Sequence, residues 1–244
     1  SMRSPACQRY ARRGGLLNEV FCLAAPVFRA FQHRNFRLYL SGQGISLVGT
    51  WLQSVAQAWL VYRLTDSAFL LGLTGFVGQA PVFFLAPLGG TLADHFDRRR
   101  LLVWTQGTSA LLAAALGILT LSGHVTIAGV LVVAALLGTV NAFDIPTRQS
   151  FVVEMVGRED LPNAIALNSS VVNAARILGP ALAGVLVAAI GEGFCFLLNA
   201  VSFAAVIAAL LAMRLGTRPA REDGLSPLRA IADAFGFVRR QPAV

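Results

Sequence analysis

A single guanidinium, Arg176, stands within an otherwise uncharged run from residue 164 to residue 190. If that run is helical, Arg176 lies about 18 Å from its start at 1.5 Å per residue. A central charge in hydrocarbon costs at least about 2.5–3.5 kcal/mol. Arg176 therefore calls for an acidic partner, as in a buried structural pair with Asp144, or for an aqueous cavity where it can meet a solute. Ser169, Asn173, Arg176 and Pro180 repeat every three or four residues, which puts them on one helical face. Ser46, Thr50, Gln53 and Gln57 form a second such row, with Gly42 one turn earlier. Amides and hydroxyls aligned in this way can line a path for a hydrogen-bonding solute. They can equally tie one helix to the next, at about 0.6–2 kcal/mol per contact. Gln79 precedes Pro81 by two residues; a proline there frees a backbone carbonyl and shapes a cavity or a static bend.

A second set of charges lies at the ends of apolar runs. Residues 90–100 read GTLADHFDRRR, placing Gly90, Asp94 and Arg98 four residues apart. Gly90 suits a close backbone approach. Asp144, Pro146 and Arg148 form a D-x-P-x-R element after another apolar run. Opposite charges four apart reach each other on a helix, so this element is a fixed ion pair or part of a breakable latch. Pro146 is expected to end or bend its helix, and Glu154, Arg158, Glu159 and Asp160 read as a solvated loop with a helix start.

Several chemistries are excluded by residue type. All 20 basic residues are arginine. Without lysine there is no Walker A phosphate loop and no Schiff-base amine. The three histidines, His33, His95 and His124, all fall near the ends of apolar runs. No metal spacing such as HExxH occurs, and no histidine stands at membrane depth to activate a serine. Cys7, Cys22 and Cys195 are scattered, with no CxxC pair. No metal or organic cofactor is expected.

The elements that must carry these residues are plain. Residues 38–62, 68–93, 101–121, 125–143 and 193–213 contain no Asp, Glu, Arg or Lys, and 164–190 contains only Arg176. Each is long enough to cross roughly 30 Å of hydrocarbon as a helix. The chain is predicted to be an all-α membrane protein with six transmembrane helices over 38–213. Residues 1–37 form a segment with a basic lead-in helix, and 214–244 form a linker and an amphipathic helix. In that helix Leu228, Ile231, Phe235 and Val238 lie opposite Arg229, Asp233 and Arg239, as suits the membrane surface. All but two of the 20 arginines lie before the first run, in loops 94–100 and 144–163, or after the last run. That bias places both termini in the cytoplasm. The net charge of +8 is then a topology signal and a contact to membrane lipids, not a nucleic-acid footprint. No cleavage site follows a short apolar core near the start, so no removed signal peptide is expected. The run 193–213, with only Asn199 and Ser202 as polar residues of note, reads as lipid-facing scaffold.

The 90–100 motif resembles the loop 2–3 signature of the major facilitator superfamily, G-x-x-x-D-R/K-x-G-R-R/K-R/K. Gly90, Asp94, Arg98, Arg99 and Arg100 match; His95 and Asp97 depart. Gly179–Pro180 with Ala183–Gly184 is similar to the GPxxGG signature of antiporter branches, with Ala183 in place of one glycine. With the stretch RNFRLYLSGQGISLVGTWLQ, these look most like the branch of enterobactin-exporter and macrolide-efflux type drug:proton antiporters. The resemblance implies the N-terminal six-helix bundle of a twelve-span carrier in the plasma (inner) membrane of a bacterium, completed by a missing C-terminal six-helix half. It further implies alternating access, export of a small-molecule solute and a proton gradient as driving force. Gly90, Asp94, Arg98, Asp144 and Arg148 would form the conformational charge cluster, and Gly179, Pro180 and Gly184 a helix-packing motif. Ser46, Thr50, Gln53, Gln57, Gln79, Asn173 and Arg176 would line the substrate pathway. A six-helix channel or carrier half that homodimerises, and a membrane interaction protein that transports nothing, are the alternatives.

Overall fold

The computed structural model describes residues 29–214, apart from the side chains of 92–95. A 3-10 turn, Arg29–Gln32, leads into five helices. These are α1 (Arg34–Thr65), α2 (Ala68–His95), α3 (Arg98–Leu121), α4 (Ile127–Ile190) and α5 (Glu192–Ala212). No strand occurs among the described residues. The proposed amphipathic helix after 214 lies outside them.

The helices α3 and α4 start where side chains cap them. Asp97 accepts the Arg100 N–H at 2.8 Å to open α3, and Thr126 accepts the Gly129 N–H at 3.2 Å to open α4. Each bond satisfies an N–H that a helix start leaves without a partner. The links are short: 66–67, 96–97, 122–126 and Gly191 alone. Links 66–67, 122–126 and Gly191 share what we call the far end of the bundle. The starts of α1 and α3 and the end of α5 lie at the near end.

The helix α4 is 64 residues long, about 96 Å at 1.5 Å per residue. Gly157, at φ 72 and ψ 175, divides it into two arms. That backbone region is open essentially to glycine alone. The stretch expected as a cytoplasmic loop is therefore helical from Asp144 to Val156, and Pro146 lies inside the helix without ending it. The reason is local. Pro146 has no N–H to give the carbonyl of Ala142, and that carbonyl packs on the bare Cα of Gly89, where a Cβ would overlap it. The close approach expected at Gly90 thus falls one residue earlier, since Gly90 has open space around it.

The helix α2 packs chiefly on the first arm of α4, α1 on α5 and α4, and α3 on α5 and α4. Small residues set these seams, as expected where lipid supplies no hydrophobic drive between helices. A Cβ on Gly138 would strike the Gly78 carbonyl, and one on Gly179 would strike Trp51. Two clusters of buried side chains fill the interior. Phe36, Tyr39, Leu102, Phe151 and Leu210 lie at the near end, and Leu52, Leu60, Leu116, Val130 and Phe196 toward the far end.

Among the described residues, four helices are long and apolar enough to cross a membrane: α2 over Ala68–Thr91, α3, α4 and α5. At 32 residues α1 is long enough, but its row of Ser46, Thr50, Gln53 and Gln57 dilutes its apolar character.

Candidate functional site

The strongest concentration of polar chemistry lies near the near end, around Asp144. Its side chain is almost wholly buried, at 2% exposure. Thr105 Oγ1 donates to Asp144 Oδ1 at 2.7 Å, Gln106 Nε2 donates to the same oxygen at 2.9 Å, and Arg148 Nε pairs with Oδ2. A buried carboxylate is stable only when so paired and hydrogen-bonded. Tyr39, buried edge-on against Phe151 at 6.0 Å between ring centroids, lies within the field of both Asp144 and Arg148. The acid is thus held jointly by α3 and by the next turn of its own helix.

Arg98 reaches farther along α4, where Nη1 donates to the Ser150 carbonyl at 3.3 Å and to Glu154 Oε2 at 3.5 Å. Glu154 is therefore a partner of α3, not part of a solvated loop. Asp160, read the same way, accepts His33 Nε2 at 2.9 Å and pairs with Arg29 at 3.8 Å. Asn163 Oδ1 adds a bond from the Ala30 N–H at 2.9 Å. These contacts fasten the lead-in turn to the second arm of α4. The side chain of Asp94 lies outside the described residues; its backbone ends α2 beside the 96–97 link.

The row on α1 divides. Ser46 and Gln53 are buried. Gln53 Oε1 accepts Asn199 Nδ2 at 2.7 Å, and Ser202 Oγ donates to Asn199 Oδ1 at 2.9 Å. The run 193–213 is consequently no plain lipid-facing scaffold: one face of α5 carries Asn199 and Ser202 into the seam with α1, opposite Gly49. Thr50 is exposed, with its hydroxyl donating to the Ser46 carbonyl at 2.9 Å, and Gln57 is half-buried.

On the second arm of α4, Asn173 and Arg176 are exposed. Asn173 Nδ2 donates to the Ser169 carbonyl at 2.9 Å. The Arg176 guanidinium lies 5.2 Å from the centroid of Trp51, a cation–π distance. Asp144, its expected structural partner, is occupied by Arg148, Thr105 and Gln106. Gly179 presses on Trp51, Pro180 is half-buried, and Gly184 has no neighbour within 4 Å. Gln79 is exposed on α2. At the far end Arg63 Nε donates to Glu192 Oε1 at 2.9 Å, and Nη2 to Oε2 at 3.4 Å, clamping α1 to the start of α5.

Thr105, Gln106 and Glu192 are functional neighbours that the sequence pattern does not single out, and Asn199 belongs to the seam, not to a lipid-facing scaffold. Each is one of few polar residues in or beside an apolar run, the same signal that marks the row on α1.

Apolar helices joined by small-residue seams, with a buried acid at one end and an exposed polar row on α1 and α4, define a multi-pass membrane protein. A family model described as "Transmembrane secretion effector" matches residues 25–244. The chain is 28% identical over 202 residues to the staphyloferrin A transporter of Staphylococcus aureus (strain NCTC 8325 / PS 47), covering 82% of this chain and 51% of that protein. It is 29% identical over 212 residues to the multidrug efflux pump Tap of Mycolicibacterium fortuitum (84% and 50%). It is 25% identical over 234 residues to the enterobactin exporter EntS of Salmonella choleraesuis (strain SC-B67) (96% and 54%). The chain belongs to the major facilitator superfamily. Its relatives are named as transporters and pumps, not enzymes. The chain spans about half the length of the curated relatives it matches.

Proposed function

We propose that this chain is one six-helix unit of a secondary active transporter that exports a small molecule by proton-driven alternating access, with a second unit of like size completing the pathway. The observation that carries this reading is the exposed polar row formed by Thr50, Asn173 and Arg176 on an otherwise apolar bundle. Lipid is a poor solvent for such a face. A water-filled path between two units is a good one, and Gln57 and Gln79 extend it. In this reading the two arms of α4 are separate spans joined at Gly157, so that α1, α2, α3, the two arms and α5 make six. Arginine placement supports a cytoplasmic near end and cytoplasmic termini.

Asp144, Arg148 and Arg98 form the latch of the inward-closed state together with Asp94, with Gly90 at its edge. Proton coupling runs through a buried acid of the completing unit or through Asp94 and Asp144 at the near end. The relatives' printed names support siderophores and drugs as substrate classes.

Two measurements test the reading. In proteoliposomes the chain alone is expected to move no solute under a proton gradient, whereas the chain with its completing half does so and loses export on Asp144→Asn; robust transport by the chain alone defeats the two-unit scheme. For topology, a cysteine at Ser122, with Cys7 and Cys22 replaced by serine, is expected to label from outside intact cells with an impermeant maleimide. Labelling only after lysis reverses the orientation.

A further inference from the structure

A groove of about 880 Å³ runs between α3 and α5, away from the polar row and the Asp144 cluster. Trp104, Gly107 and Leu111 of α3 face Leu197, Val201 and Ala204 of α5 across it. Its one polar side chain, Thr108, spends its hydroxyl on the Trp104 carbonyl at 2.9 Å. The groove extends along α3 from Val103 to Ala114, about 17 Å at 1.5 Å per residue. That is close to half of the roughly 30 Å hydrocarbon layer, the depth of one leaflet.

The near end of the groove is cationic. Arg100 is exposed and stands four residues before Trp104, seven before Gly107 and eleven before Leu111, so it continues the same helical stripe. Arg99 Nη2 donates to the Leu211 carbonyl at 2.8 Å and bridges α3 to α5 at that end. Trp104 is 75% exposed, and such rings settle at headgroup level. A cation, then an interfacial ring, then an apolar trough one leaflet long match in order the headgroup, glycerol region and acyl chain of a phospholipid. We propose that this groove binds an anionic glycerophospholipid, with one acyl chain along Gly107 and Leu111 and its phosphate-bearing headgroup against Arg100. With the orientation proposed above the lipid belongs to the cytoplasmic leaflet, and that assignment alone rests on that reading.

Native mass spectrometry of the purified chain in detergent, titrated with phosphatidylglycerol and with phosphatidylcholine, tests the site without reference to leaflet. The chain is expected to retain phosphatidylglycerol in preference, by about fivefold, the scale of one arginine beside an anionic headgroup. Arg100→Gln is expected to abolish that preference. Gly107→Leu, which projects into open space, is expected to expel both lipids while the helix content by circular dichroism is unchanged. Equal retention of the two lipids by the unaltered chain, retention by Gly107→Leu, or a homodimer that closes the groove overturns the proposal. None of these outcomes bears on topology, which the Ser122 labelling decides separately.

Discussion

The helix α1 makes two seams, and they use polar side chains in opposite ways. Against α5, Gln53, Asn199 and Ser202 close on one another in a buried network beside Gly49. Against the second arm of α4, Trp51 carries Arg176 on its ring, and Thr50 and Asn173 remain exposed on the two helices so joined. Neighbouring turns of one row thus serve different ends. A polar residue in a membrane helix marks a site only when its hydrogen-bonding capacity is left for something other than the bundle. Gln53 is buried with a partner on α5, whereas Arg176, Thr50 and Asn173 stay exposed on the face proposed above for a solute path.

The contrast can be broken by substitution. The largest effect is expected from Gly179→Leu, because even its Cβ would overlap Trp51 and stand 3.0 Å from the Val48 carbonyl. Forcing helices apart at such a contact is expected to lower stability by about 3 kcal/mol or more, on the scale of severe overpacking. Gly184→Leu, in open space, should leave the melting temperature in detergent unchanged. Equal melting of the two variants would remove Gly179 from the seam.

A middle effect is expected at the closed seam. Asn199→Ala leaves the Gln53 amide buried without its partner, a loss of about 1–2 kcal/mol. A double-mutant cycle of Asn199→Ala with Gln53→Ala should give a coupling of about 0.6–1.7 kcal/mol. Zero coupling would return Gln53 to the list of pathway residues.

The smallest effect on stability is expected at the open seam. Arg176→Gln loses a cation–π contact worth about 0.5–1 kcal/mol at an exposed position, a shift near the limit of a melting experiment. Export by the completed transporter should nevertheless fall sharply. Wild-type export by this variant, at normal abundance, would make both seams structural.

Much of this was legible in the residues, and the failures share a cause. The uncharged runs lie inside helices, and the Asp144–Arg148 pair follows from i,i+4 spacing. Spacing gives a residue its face and depth on its own helix but says nothing about which neighbour meets that face. Thr105 and Gln106 could be seen as polar; that they hold Asp144 depends on where α3 lies against α4. Asn199 passed for scaffold for the same reason. The motif points to Gly90 because it marks a position in sequence, whereas the contact falls at Gly89 because it depends on which carbonyl Pro146 leaves free. Pro146 itself misled because proline ends helices in water, while close helix packing lets a membrane helix continue through it.

Gly191 is the whole of the connection between α4 and α5. A tether of one residue has no slack, and the Arg63–Glu192 clamp ties α1 to the same corner. The second arm of α4, α5 and α1 are therefore fastened to one another at the far end. Any tilt of that group against α3 would be largest at the opposite end, where Arg99 holds the Leu211 carbonyl.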